Sequence, residues 1–145
     1  MSTPILLSQA IKSFLEPLLA DGVSVRPRVY EGYLPKLTSA NADAEDFPYV
    51  IIRIHKGSTG ADGNPVVVNL ILGTKCEAED GFKDVLMLFD RIQTALFKTR
   101  VLDRQFRLEL PYEWELFEDQ PYPEWIGKIK TTWILPTITE EVEGI

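Results

Sequence analysis

The chain holds one cysteine and one histidine in 145 residues, and that shortage closes off most of the common site chemistry. Cys76 alone cannot form an intrachain disulfide, which fits a reducing cytosol or simple indifference to redox state. His55 has no second histidine and no neighbouring cysteine, so neither a catalytic triad nor a zinc site can be built in the usual ways. It reads as a solvent-side strand residue. Long apolar runs are also lacking, and none approaches the roughly 20 residues of a membrane span. No basic region precedes the first apolar residues, which speaks against a signal peptide. Positive charge is scarce: 15 Lys and Arg face 22 Asp and Glu, a formal net charge of −7. No run of basic residues offsets that field, so a sequence-specific nucleic-acid track is excluded.

A hydrophobic content of 45% is enough for a core without staples, and the length suits one domain over residues 1–145. A loose acidic tail is expected from about residue 138. The organising stretch is residues 66–97. It opens with VVVNLILG, in which six of the first seven residues are apolar, the mark of a central strand covered at least partly on both faces. An acidic turn follows, with Asp80 as the expected N-cap. Phe82, Val85, Leu86, Phe89, Ile92 and Leu96 then recur at three- and four-residue spacing, which predicts an amphipathic helix over 80–98.

Before that stretch, Thr3 and Pro4 open a helix over 4–20, whose dry stripe is Leu7, Ala10, Ile11, Phe14, Leu15 and Leu18. Pro17 predicts a kink or a broken last turn. Residues 23–30 can hold a short strand, confined to an edge or a bulge by Pro27. Residues 31–46 are a long polar loop. Val50, Ile52 and Ile54 alternate with Tyr49, Ile51, Arg53 and His55 in a strand over 49–55. KGSTGADGN (56–64) is turn chemistry throughout, which predicts an antiparallel hairpin between 49–55 and 66–74 with a flexible tip. Beyond the second helix, Phe106, Leu108 and Leu110 form a strand that Pro111 is expected to break. Tyr112, Trp114 and Leu116 resume the alternation against Glu113 and Glu115, and 125–135 is the closing strand. The pattern gives an α+β fold: an antiparallel or mixed β-sheet with two main helices packed on one face.

Three features invite a chemical reading. Gly57-Ser58-Thr59-Gly60 has the composition of a phosphate cradle, but it joins two strands instead of leading into a helix. Asp62 and Asn64 lack the spacing of a calcium loop. Glu113 and Glu115 project from one strand face about 7 Å apart, within the range glycosidases use, yet no cleft is predicted around them. A solvated face is the simpler reading. The aromatics Trp114, Tyr122, Trp125 and Trp133 lack interleaved basic residues and read as core and interface fillers.

Three segments carry a resemblance: FPYVIIRI (47–54), VNLILGTKCEAEDGFKDVLMLFDRIQTAL (68–96) and LPYEWELFEDQPYPEWIGKIKTTWILP (110–136). The strand ending in Gly73-Thr74, the acidic turn, the amphipathic helix and the Pro121-x-Pro123-x-Trp125 turn resemble the tail terminator, or tail-completion, proteins of tailed bacteriophages. The resemblance implies a non-enzymatic virion subunit without cofactor or metal, assembled in the bacterial cytoplasm as a ring, by expectation a hexamer. Such a ring caps the tail tube, stops its polymerisation and offers the surface to which the head attaches. The implied partners are other copies of the chain, the tail tube protein, and sheath and head–neck connector proteins. The candidate contact residues are Arg53, Lys56, Ser58, Thr59, Asp62, Asn64, Glu113, Glu115, Lys128 and Lys130. The alternatives are another neck or tail-completion subunit, or a small acidic hydrolase or ligand-binding domain. A pocket with convergent polar groups would favour the last, and flat complementary faces the ring.

Overall fold

The structure, a computed structural model, describes residues 3–20, 26–35, 47–61 and 63–137. Its order is α1 (Pro4–Ala20), β1 (Arg28–Glu31), β2 (Tyr49–Gly57), β3 (Asn64–Lys75), α2 (Phe82–Thr99), β4 (Val101–Leu102), β5 (Phe106–Leu116) and β6 (Glu124–Leu135). The strands form one sheet in the order β1-β2-β3-β6-β5-β4. β1 runs parallel to β2 and every other neighbouring pair is antiparallel, so the sheet is mixed.

Both helices bury their stripes in one core with one face of the sheet, hereafter the inner face. The α+β expectation with helices on a single face therefore holds. α1 contributes Leu7, Ile11, Leu15 and Leu19; α2 contributes Val85, Leu88, Phe89, Ile92 and Leu96. The inner face answers with Val50 and Ile52 on β2, Val66, Val68, Leu70 and Leu72 on β3, and Ile129, Trp133 and Leu135 on β6. Trp133 is sealed in completely. Its Nε1–H donates to Thr131 Oγ1 at 2.9 Å, and that hydroxyl donates to the Val68 carbonyl at 2.8 Å, so these two buried polar side chains are satisfied within the layer. The Arg91 guanidinium also donates to the Leu18 carbonyl at 2.6 Å, tying the end of α1 to α2.

Several local expectations need correction. α1 does not break at Pro17; it runs on to Ala20, because Leu15 and Leu19 on either side of the proline are both fully buried and hold the last turn down. The expected stop at Asp21-Gly22 lies outside the described residues. Thr3 does cap α1, its hydroxyl accepting from the Leu6 N–H at 3.2 Å. Asp80 does not cap α2. The cap position is Gly81, without a side-chain bond, and the Trp125 indole lies so close to it that a Cβ there would collide with the ring. The residue next to the indole must be small, which shifts the helix start past Asp80. Trp125 holds that position by donating from Nε1 to the Cys76 carbonyl at 2.9 Å.

The hairpin forms in the predicted sense, but its strands reach further into the tip. Lys56 and Asn64 lie in β2 and β3 rather than in the loop, and a bridge between Gly60 and Gly63 closes the tip. His55 is the extra residue where the register shifts between Ile54 and Lys56. Nor does Pro111 end its strand. β5 passes through it with a second bulge, in which the three residues between Glu109 and Glu113 face the single residue between Thr132 and Lys130. The bulge accommodates a residue that has no N–H to give the ladder. The short strand β4, unforeseen, folds back on the start of β5. Residues 36–46 of the long loop and the tail from 138 lie outside the described residues, as does Asp62.

Candidate functional site

The outer face of the sheet carries no helix among the described residues, and it is here that the candidate residues converge. Strand alternation forces the arrangement. With Ile129, Thr131 and Trp133 turned inward, Lys128 and Lys130 must point outward. With Trp114 opposite Ile129, Glu113 and Glu115 must do the same. The register sets Lys128 directly across from Glu115, and Lys130 across from Glu113. Lys128 Nζ lies 3.4 Å from Glu115 Oε1, and Lys130 Nζ 4.0 Å from Glu113 Oε2. Alternating signs directly opposite each other are the favourable cross-strand choice.

The register then extends one row across four strands. Arg53 of β2 is opposite Asn69 of β3, Asn69 opposite Lys130, and Lys130 opposite Glu113. The Asn69 Oδ1 in the middle of that row is buried and accepts no hydrogen bond among the described residues. The Arg53 side chain turns toward the sheet edge. Its Nε donates to the Gly32 carbonyl at 3.0 Å, and its guanidinium lies over the Tyr33 ring, 4.3 Å from the centroid.

A shallow groove of about 490 Å³ is lined by Glu113, Trp114, Glu115, Lys128 and Lys130. The sequence foretold no cleft at this place. Both carboxylates in it are 59% exposed and each faces its own lysine. Acid–base hydrolysis by a carboxyl pair needs two environments that push the partners into different roles. Here the two environments are alike, each carboxylate being well exposed and facing a lysine, so nothing in them sets the pair into different roles.

The hairpin residues stand apart from this ladder and hold the strand ends together. The Ser58 N–H donates to the Pro65 carbonyl at 3.0 Å, and Asn64 Nδ2 donates to the Pro136 carbonyl at 3.1 Å. Lys56 and Thr59 are exposed, as is His55. The structure thus brings Arg53, Glu113, Glu115, Lys128 and Lys130 onto one face and leaves Lys56, Ser58, Thr59 and Asn64 at its end.

The edge of the sheet at β5 is the feature that the sequence reading missed. β4 covers only Phe106 and Arg107, and the Leu108 N–H is taken by the Arg100 carbonyl at 2.7 Å. From Glu109 to Leu116 no described strand lies on the outer side of β5. Leu110 and Trp114 are more than half or half exposed along this edge, at 63% and 50%. Tyr112 packs on Phe97 with ring centroids 5.0 Å apart, and Trp114 on Phe89 at 5.4 Å. The Tyr112 hydroxyl is buried without a partner among the described residues, and that burial pushes its pKa well above the usual phenol value.

No family model and no curated protein matches the chain. Among solved structures, one chain of a particle described as "Virion of native gene transfer agent (GTA) particle" is similar, with a TM-score of 0.42 and 12% sequence identity. The alignment covers 92% of this chain and 98% of that one.

Proposed function

We propose that the protein is a structural subunit of a tailed, phage-like virion, and more narrowly a tail terminator that forms a ring on the end of the tail tube. The observation that supports this reading best is the division of the sheet. One face is spent on the core, while the other presents a ladder of alternating charges, Lys128–Glu115 and Lys130–Glu113, along a shallow groove. A polar, charge-alternating surface beside an open strand edge suits contact with another protein surface. The three segments that resemble tail terminators fall on β2, on β3 through α2, and on β5 through β6, which together make the centre of the sheet and its covering helix. Partners under this reading are copies of the chain and the tail tube protein, and the chain catalyses no reaction.

The test is polymerisation of tail tubes with and without the purified protein, followed by electron microscopy. Tubes of limited length that carry a ring at one end are the expected result. Tubes of unchanged length and bare ends, with the protein folded, would overturn the terminator reading.

A further inference from the structure

The two edges of the sheet differ in kind and match each other. At one end is β1, whose Arg28 is exposed and, being opposite Tyr49, lies on the outer face, while Val29 is buried on the inner face. At the other end is the stretch of β5 beyond β4, whose Glu113 and Glu115 lie on the outer face and Trp114 on the inner. Strand directions follow from the pairing. β1 runs with β2, and each of the steps from β2 to β3, β6 and β5 reverses the direction, so β1 and β5 run opposite ways.

We infer that β1 of one copy adds to the open β5 edge of a second copy, continuing the sheet from subunit to subunit. Copies held in the same sense meet with β1 and β5 antiparallel and with outer face aligned to outer face. The register that places Arg28 opposite Glu115 also places Val29 opposite Trp114. At these two positions charge meets opposite charge on the outer face and apolar meets apolar on the inner. Main-chain hydrogen bonds supply the attraction and side-chain matching selects the partner, as in other strand additions. The bulge at Pro111 limits the usable edge to the residues beyond it, which suits a partner strand of only four residues, Arg28–Glu31. The joint uses two different patches, so it is heterologous and closes into a ring when the rotation between copies permits. This inference rests on the ring reading above, and it names the surfaces that make the ring.

The experiment follows assembly of the full-length chain against concentration, by analytical ultracentrifugation and native mass spectrometry. The chains compared are wild type, Arg28→Glu, Glu115→Arg and the chain carrying both. Circular dichroism and melting verify that each is folded. Each single reversal places like charges across the joint and raises the concentration needed for assembly by about tenfold or more, while the double reversal restores the pair and recovers most of that loss. Assembly unaffected by the single reversals, or lost in them without recovery in the double, would overturn the edge pairing and leave the ring reading standing. A wild type that stays monomeric at every concentration, with and without tail tubes, would overturn both.

Discussion

The two faces of one sheet are built from alternate residues of the same strands, yet they do different work. On β6 the inward set is Ile129, Thr131, Trp133 and Leu135, all buried; the outward set includes Lys128 and Lys130, which reach toward carboxylates in water. Removing an inner residue leaves a hole or an orphaned donor, because the helices pin the layer above it. Removing an outer charge returns its partner to solvent at little cost. Fold information is therefore concentrated on the inner face, and the outer face is free to carry whatever a partner needs. The two can be separated by measuring unfolding and assembly on the same variants.

The sharpest break would come at Trp133. It is 1% exposed and among the largest fully buried side chains of the described residues, and its indole N–H is satisfied inside the layer. Trp133→Ala is expected to lower unfolding stability by about 3–5 kcal/mol in urea titration. A loss below about 1 kcal/mol would mean that the inner face does not carry the fold.

How far the sequence could be read follows the same division. The inner stripes were legible because burial imposes a period. Leu7, Ile11 and Leu15 on α1, and Val85, Phe89, Ile92 and Leu96 on α2, all emerge from spacing alone. The pairing of lysines with glutamates on the outer face was not legible. The alternation of 113–116 and of 128–133 tells which residues share a face, but their register is set by the geometry of the turn that joins β5 to β6, and slipping by one residue would break both pairs. The start of α2 was misread for a related reason. Asp80 has the right chemistry for a cap, and only the indole of Trp125, packed against the neighbouring glycine, shows why Gly81 takes the place. Arg28 escaped notice altogether. Its signal was small: two arginines, Arg26 and Arg28, around Pro27 in an acidic chain.

A smaller effect is expected where the two faces meet, at Tyr112. Its hydroxyl is buried without a partner among the described residues, so Tyr112→Phe removes a desolvated polar atom and should leave stability at neutral pH unchanged or slightly raised. The alkaline limb separates the two chains more clearly. In the folded protein the phenol pKa lies above its ordinary value of 10.0, because burial disfavours the phenolate. Below pH 10 both states keep the proton and pH has no effect through this group. Above it the unfolded chain ionises first, the folded state then binds more protons, and stability falls as pH rises toward the folded pKa. Unfolding midpoints measured between pH 8 and 11 should decline less steeply for the phenylalanine variant. Parallel curves would show the hydroxyl to be solvated.

The smallest effect should come from the charge ladder, and its smallness is what distinguishes the faces. Lys128 and Glu115 are 3.4 Å apart, and the glutamate is well exposed, so water screens the attraction and competes for both groups. Exposed pairs of this kind contribute about 0.2–1 kcal/mol in double-mutant cycles. A cycle of Lys128→Gln, Glu115→Gln and the double variant should therefore give a coupling below about 1 kcal/mol for unfolding, shrinking further in molar salt. The neighbouring Lys130–Glu113 pair, at 4.0 Å, should couple no more strongly. Each single variant should melt close to the wild type. A coupling of about 2 kcal/mol or more would place the ladder among the forces that hold the monomer together, and the outer face would then no longer be separable from the fold. A weak coupling in the monomer, beside a loss of assembly in the same Glu115→Gln chain, would assign the ladder's value to the contact between copies.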